Sequence, residues 1–232
     1  MKKLVILMAL IAVLSIATAL ALEPGQASIS TTDLGEYVNA TADTLDATGG
    51  TIFDVDVSAT TGTIRWSGIS GTVTGNIVLG DNTGTIMYDW GSATPIAVYA
   101  TLNTDAINWD SGLVAGNEVN FLTDFPYLTA ANAPNDNYNT TFTGTLSMDT
   151  DVNSNMFTPT CPSVLTDDNS AAYWPTLHCE DATGQPVMVG EVDSAVHANY
   201  AGVNVNYQMI VPELGGQGNE AATSWDLWVE LE

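Results

Sequence analysis

Two histidines, His178 and His197, are the side chains that could act as a general base near neutral pH. His178 adjoins Cys179, and His197 lies in an alternating polar and apolar pattern that is typical of a strand surface. Neither G-x-S-x-G nor H-E-x-x-H occurs in the chain. We therefore predict structural roles for both histidines and assign no catalytic residue. A glycosidase needs only a pair of carboxylates, and the chain has 27 Asp and Glu, so an extracellular hydrolase stays a distant alternative.

The two cysteines, Cys161 and Cys179, have the count expected of a single disulfide in an exported protein. The alternative is a pair of metal-ligating thiolates, although the spacing is not CxxC and only His178 lies nearby. We favour the disulfide, which would pin a long excursion of the chain at about residues 149–181.

Calcium is the cofactor that the side-chain pattern favours most. Oxygen-bearing side chains alternate at Asp149, Asp151, Asn153 and Asn155, as they do at the start of an EF-hand loop. The chain departs from an EF-hand loop at two positions: Ser154 stands where the sharp-turn glycine should be, and Thr160 stands where the bidentate glutamate should be. A solvated turn rich in Asp and Asn is therefore the simpler interpretation, with a weak calcium site as the alternative.

The six tryptophans raise the question of a surface glycan as partner, since sugar rings stack on exposed aromatic side chains. Strand patterns place four of them in a core: Trp66, Trp90, Trp109 and Trp225. The pair predicted to be exposed is Trp174 and Trp228. Core packing or subunit contact is the favoured role, and carbohydrate binding is the alternative.

The N-terminus has the pattern of a secretory signal peptide. Lys2 and Lys3 precede an apolar run that ends in small residues at Ala19-Leu20-Ala21. Removal of residues 1–21 would leave 211 of the 232 residues, with Arg65 against 27 carboxylates and a net charge of −26. We therefore predict an extracellular or cell-surface protein, with no transmembrane segment after cleavage and no nucleic-acid partner, because a polyanion repels nucleic acid.

The distribution of β-branched and aromatic residues predicts an all-β fold, an antiparallel β-sandwich over residues 22–232 that is either one sandwich or two packed sub-sandwiches. Gly, Asn, Asp and Pro separate short strand-like runs. The predicted strands are residues 52–57, 63–66, 72–79, 85–90, 96–101, 118–122, 141–148, 187–192, 203–211 and 225–231. In the last of these, Trp225, Leu227, Val229 and Leu231 share a core face, and Glu230 is assigned to the opposite one.

Two N-glycosylation sequons occur, at Asn39 and Asn139, and both are predicted to lie on the surface of an exported glycoprotein.

Residues 66–90 contain the block W-x-G-x-x-G-x-V-x-G-x-I-x-L-x-D followed by Y-x-W, with glycines at Gly68, Gly71 and Gly75. The likeness continues in residues 98–101, 107–109, 207–213 and 225–231. These blocks resemble a family of secreted archaeal surface proteins, which implies an archaeal envelope or extracellular protein and carries over no catalytic residues. From the residues themselves, the glycines indicate a packing corner under Trp66 and Trp90, with a ligand platform as the alternative.

The function expected from these features is that of a non-enzymatic structural or interaction protein of a cell surface. Self-association would be noncovalent, because a mature chain without lysine cannot form Lys–Asn isopeptide links. Strand addition is the available route to a noncovalent polymer, such as a filament or envelope, with residues 22–32 as the donor and Ile29 as its apolar anchor. Residues 225–231 are the alternative donor. The alternative is a carbohydrate- or calcium-binding adhesion module.

Overall fold

The computed structural model describes residues 24–35, 38, 49, 52, 54, 56, 58–102, 107–109, 112–148, 150–152, 155–167, 172–214 and 223–232. For residues 150–152, 155–157 and 172–173 it describes the backbone alone. The predicted signal peptide and Asn39 lie outside the described residues, and so does much of the predicted strand at 52–57.

Sixteen strands are formed by the described residues: β1 (Gly25–Gln26), β2 (Trp66–Gly71), β3 (Gly75–Gly80), β4 (Ile86–Ala93), β5 (Pro95–Leu102), β6 (Leu113–Ala115), β7 (Gly144–Ser147), β8 (Thr150–Val152), β9 (Asn155–Phe157), β10 (Thr160–Asp167), β11 (Ala172–Asp181), β12 (Pro186–Glu191), β13 (His197–Ala198), β14 (Asn204–Val205), β15 (Tyr207–Pro212) and β16 (Trp225–Leu231). Eight of them form one antiparallel sheet in the order β1-β16-β5-β12-β11-β10-β7, with β6 paired to β11. The prediction of an all-β antiparallel fold is confirmed.

The main sheet is buried on both faces near its centre, and β5 shows this most clearly. Val98 and Ala100 belong to one apolar core, whereas Ala97 and Tyr99 belong to a second core on the other face. The continuous apolar run of β5 is thus explained, because a strand covered on both faces does not alternate with polar residues.

The first core is closed by the β2–β15 pair and by helices. Strand β15 packs across β11 and β12, and a Cβ at Gly190 would lie 3.2 Å from the Met209 side chain, so glycine allows this close approach. Beside it lie helix α1 (Glu118–Asp124), a 3₁₀ turn (Pro126–Leu128) and helix α2 (Tyr138–Thr141). Together these elements form the second layer of the sandwich.

The prediction of a strand at 118–122 is wrong, because these residues begin helix α1. The side chain of Asn117 accepts a hydrogen bond from the backbone N–H of Val119 at 2.8 Å, which caps the helix. Phe121 and Phe125, four residues apart, both enter the first core. Val119 is 72% exposed, so the apparent two-residue alternation does not correspond to a buried strand face.

The predicted excursion at 149–181 is also wrong for most of its length, because β10 and β11 are inner strands of the main sheet. The disulfide itself is confirmed: Cys161 and Cys179 are bonded, with their Cα atoms 5.4 Å apart. Strand β6 pairs with β11 from Cys179 onward, beyond the residues that pair with β10. The disulfide therefore ties β10 to β11 at the point where β6 takes over the pairing.

Among the described residues, no helix has the length and apolar content needed to cross a membrane.

Candidate functional site

The first group that could do chemistry is a buried polar cluster around His178. The imidazole is fully buried, and its Nδ1 lies 2.9 Å from the hydroxyl of Tyr138. Its Nε2 has no hydrogen-bond partner and lies 4.0 Å from the carboxylate of Glu180. Phe121 covers the ring at a centroid distance of 4.6 Å. A Cβ at Gly116 would overlap His178, so glycine lets the backbone before α1 pass over the imidazole.

The protonation of this cluster follows from its burial. Burial lowers the pKa of His178 to about 3, so the imidazole is neutral. The carboxylate of Glu180 accepts hydrogen bonds from the Asn117 N–H at 2.6 Å and the Asn120 side chain at 2.9 Å. Burial also raises the pKa of Tyr138, with help from Glu118 and Glu180, and the hydroxyl keeps its proton.

The favoured tautomer of His178 places the proton on Nε2, towards the carboxylate of Glu180, while Nδ1 accepts from the Tyr138 hydroxyl. The Tyr138–His178 pair has the hydrogen bond of a catalytic pair, but the imidazole has no exposed surface that a substrate could reach. It supports the structural role that was predicted for His178.

A second buried group is the guanidinium of Arg65, whose residue is 6% exposed. It donates to the carbonyl oxygens of Tyr127 at 3.1 Å and Asn132 at 2.7 Å, and its Nε lies 3.8 Å from Asp136. The indole N–H of neighbouring Trp66 donates to the Asp136 carbonyl at 2.8 Å. The single basic residue after Lys3 therefore holds the loop between α1 and α2 against β2, instead of neutralising the acidic surface.

Carboxylates in this lysine-poor chain are stabilised by main-chain amides. Two hairpins have the sequence D-x-T-G, beginning at Asp81 and Asp181. In each, the aspartate Oδ1 accepts from the N–H and hydroxyl of the threonine two residues later and from the N–H four residues later. Gly84 and Gly184 follow at φ 83° and 88°, the left-handed conformation that glycine adopts without strain. The predicted hairpin loop after Gly80 is confirmed.

The two aspartates differ in the use of their second oxygen. Oδ2 of Asp181, which is 1% exposed, also accepts from the backbone N–H of Asn108 at 2.9 Å. Burial on its own would raise the pKa of Asp181, but hydrogen bonds from Asn108, Thr183 and Gln185 outweigh it and hold the pKa below its usual value. At exposed Asp81 the hydroxyl of Thr83 is the main cause of the lowered pKa.

We expect the substitution Asp181→Asn to cost about 2 kcal/mol of unfolding free energy, because an amide nitrogen at this buried position would then face the half-buried N–H of Asn108 or displace the turn. The same substitution at Asp81 keeps the single oxygen that its turn uses, and should change stability little. Urea titration at pH 7 of both variants measures the difference. Equal losses in the two variants would contradict the assigned role of the Asn108 contact.

The remaining predicted sites stay largely untested. Asn139 is exposed at α2, with its amide donating to Glu118 at 2.7 Å, and its glycosylation stays a prediction. Of the calcium candidates, Asp149 and Asn153 lie outside the described residues. Asp151 and Asn155 belong to the paired strands β8 and β9, but their side chains are not described. Among the residues whose placement is described, no group of three or more His, Cys, Asp or Glu could hold a metal ion.

His197 is partly exposed in β13, as a strand-surface histidine should be, and its Nε2 lies 3.3 Å from Asp193.

Several predictions about aromatic side chains need correction. Trp109 is buried, and Trp66 and Trp225 pack against the first core, as predicted. Trp174, predicted to be exposed, is 1% exposed, and Trp228 is half-buried against the second core.

Glu230, on the face of β16 opposite the predicted core face, is also buried, and the Tyr99 hydroxyl donates to its carboxylate. Burial is the main reason why the pKa of Tyr99 is raised, followed by the charge of Glu230. The alternation within β16 was therefore correct, but the second face of this sheet is covered by Trp109 and Trp228 rather than by water.

The main exposed apolar feature is the hairpin of β3 and β4, residues 75–93, which we call the arm. Its base contacts β16, where a Cβ at Gly75 would overlap the Leu231 side chain. Beyond the base, both strands are exposed on both sides. Trp90, which was predicted to lie in a core, is 62% exposed on this arm. The predicted packing corner of glycines under Trp66 and Trp90 is not observed: Gly71 and Gly75 lie against Tyr207 and Leu231, and a Cβ at Gly68 would meet no atom within 4 Å.

One side of the arm carries three large apolar side chains, each at least half exposed, which we call the apolar face: Leu79, Tyr88 and Trp90. The register of the ladder shifts between Leu79 and Gly80, and Ile86, which lies opposite Gly80, falls outside this face. Leu79 lies opposite Tyr88 in the ladder, and the Tyr88 and Trp90 rings meet edge to face at 4.9 Å. Asp89 and Val78, which lie opposite each other in the ladder, point to the other side, because successive side chains of a strand alternate. Exposed apolar patches occur at interaction sites and in segments prone to aggregation.

A second exposed feature is the edge of the main sheet at β16. Strand β1 pairs with it only at Gly25↔Val229 and Gln26↔Trp228, and the Ala27 N–H then donates to the Leu227 carbonyl at 2.8 Å. Ala27 packs against the first core, whereas Ile29 is 58% exposed. Part of the predicted donor segment 22–32 thus lies on an edge strand of its own sheet.

Comparison with known proteins adds no relative to this description: no family model, no curated protein and no solved structure matches the chain.

Proposed function

We propose that this protein is a non-enzymatic structural or interaction protein of an archaeal cell surface, whose subunits associate noncovalently by strand addition. The observation that carries the proposal is the edge of β16, which is covered along two residues by the N-terminal strand β1. An edge strand presents a row of backbone N–H and C=O groups to any chain that can pair with it. The archaeal cell surface rests on the resemblance of the glycine-rich block and on the predicted signal peptide.

The use of the chemically capable residues supports a structural role. His178, Arg65 and Glu230 each hold buried contacts between distant segments. Residues committed to such contacts serve the fold, and the exposed features are instead a strand edge and an apolar arm.

In the proposed assembly, the N-terminal segment of one copy occupies the β16 edge of the next. The segment is suited to exchange, because β1 is short, is exposed on both residues, and is followed by the exposed residues 28–35. Backbone pairing would provide affinity, and insertion of Ala27 into the first core would provide register.

The substitution Ala27→Pro tests this function, because it removes the N–H that donates to Leu227 while leaving the rest of the chain intact. The control is Ser30→Pro in the exposed continuation of the same segment. Sedimentation velocity and negative-stain microscopy of mature protein at high NaCl should show large assemblies for the wild type and the control. Assembly should be lost in Ala27→Pro and on deletion of residues 22–32.

High NaCl is specified because the chain carries a net charge of −24, and screening reduces repulsion between copies. A wild-type protein that stays monomeric at high concentration and high salt would contradict the proposed function. Its retention on a polysaccharide column would then identify the adhesion module instead.

A further inference from the structure

We propose that the arm is a second self-association surface, in which the apolar face of one copy packs against the same face of a second copy in a two-fold contact. This inference rests on the proposed function and extends it. Strand addition at β16 joins copies head to tail, and the arm adds a second contact that is two-fold symmetric. It is carried by residues on β3 and β4 that the cores of the subunit do not use: Leu79, Tyr88 and Trp90.

The first argument is the low stability expected of the arm on its own. A two-stranded ribbon that is free on both sides is marginally stable in water, and its stability comes from covering an apolar face. Here the apolar side chains are at least half exposed along the length of the ribbon. Burial of the face would therefore stabilise the arm and the contact together.

The second argument is electrostatic, and it identifies the occupant as a second copy. Between residues 75 and 93 the chain has two carboxylates, Asp81 and Asp89, in a protein of net charge −24. Asp81 lies in the turn and Asp89 points away from the apolar face, and both accept main-chain N–H groups, Asp89 from Gly91 at 2.7 Å. Two polyanions repel each other least where they meet through a surface without charge, and the apolar face is such a surface.

The shape of the face argues against the other occupants. A sugar ring needs a flat aromatic surface, but Tyr88 and Trp90 meet at 73°, so neither ring extends the plane of the other. A bilayer would meet the tip of the arm first, and the tip is the polar turn Asp81-Asn82-Thr83-Gly84. A second arm offers edge-to-face aromatic contacts and aliphatic side chains of matching length.

A two-fold contact is the simplest closed arrangement, because the apolar face of each copy then covers the same face of the other copy. The face consists of a few side chains of one hairpin, whereas a standard stable interface buries roughly 1,600 Å². We therefore expect the contact to be weak when it acts alone and to be best detected by covalent trapping.

The trap uses single cysteines on the two sides of β3. Wild-type protein contains only Cys161 and Cys179, which are bonded to each other, so an introduced cysteine reports a contact between copies. Leu79→Cys places a thiol at the centre of the apolar face, and Val78→Cys places one on the opposite side at similar exposure. Under mild oxidation at high NaCl, disulfide-linked dimers should form roughly tenfold faster in Leu79→Cys, because only there can two Cα atoms approach within bonding distance.

A second pair of variants checks the trap without a covalent bond. Trp90→Ser should weaken the concentration-dependent association measured by sedimentation, whereas Val78→Ser, on the other side of the arm, should not. Both positions are exposed, so neither substitution disturbs a core.

The outcomes separate this inference from the proposed function. Assemblies that form normally while Leu79→Cys and Val78→Cys cross-link equally slowly would overturn the arm contact and leave strand addition in place. Cross-linked Leu79→Cys dimers in a protein that forms nothing larger would support the arm contact and contradict strand addition. Loss of binding to neutral vesicles or to a polysaccharide in Trp90→Ser, with association unchanged, would assign the arm to that ligand instead.

Discussion

Replacement of Arg65 by methionine should lower the free energy of unfolding by about 3 kcal/mol, because it removes a buried guanidinium and leaves two half-buried carbonyl groups without their donor. The guanidinium reaches the Tyr127 and Asn132 carbonyls from a residue that is 6% exposed. Methionine retains most of the aliphatic stem, so the loss reports the hydrogen bonds rather than a cavity. Urea titration at pH 7 measures the change.

Arg65→Lys separates the charge of Arg65 from its geometry. A single ammonium restores the charge but cannot reach both carbonyls in the forked arrangement of the guanidinium, so we expect it to recover roughly half of the lost stability.

The salt dependence of the loss tests the same point. Hydrogen bonds from a buried guanidinium are screened little, so the cost of Arg65→Met should be the same in dilute buffer and in high NaCl. A cost that disappears at high salt would show that Arg65 acts mainly by neutralising acidic neighbours.

The second large effect is the contribution of His178 to acid stability. Burial lowers the pKa of the folded imidazole to about 3, whereas an unfolded histidine titrates near 6.5. Between these values the unfolded chain binds a proton that the folded chain does not. Stability is therefore complete above about pH 6.5 and falls as the pH drops, by up to about 1.4 kcal/mol per pH unit.

The variant His178→Asn keeps an acceptor near the position of Nδ1 for Tyr138 and does not titrate. The difference in unfolding free energy between wild type and variant should be constant above pH 6.5 and should shrink steadily towards pH 3. The comparison cancels the general relief of carboxylate repulsion at low pH, which both proteins share. The variant His197→Asn is the control, because it shows how the unfolding free energy changes with pH when a partly exposed imidazole is removed. A difference that does not change with pH would mean that the buried imidazole accepts a proton in the folded state.

Local patterns predicted much of the fold. The turn after Gly80 and the strand faces of β16 follow from residue types within a few positions, and both were predicted correctly. The disulfide was also predictable, because two cysteines in a chain of this composition have few other roles. Helix α1 was missed because five residues with apolar side chains at alternate positions look like a strand, and the Asn117 cap was not recognised as a helix start.

The errors in burial have a common physical cause. Trp90 and Trp174 both lie in strands with bulky neighbours, yet one is exposed on the arm and the other is buried beneath β13, where its indole donates to Ala198. Glu230 alternates correctly with Leu231 and Val229, but its face is covered by a second core. Which face of a strand meets water depends on the segments that pack across it, and these are distant in the chain.

The amino-acid sequence by itself determined the fold class, the disulfide and the acidic character of this protein, because periodicity, cysteine count and charge are properties of short segments and of composition. The tertiary structure alone decided where the scarce basic and imidazole groups are used. Arg65 and His178 meet partners 62 and 40 residues away, respectively, at Tyr127 and Tyr138. It also decided that the arm extends beyond the cores, since an apolar ribbon becomes an interaction surface only when the rest of the chain does not cover it.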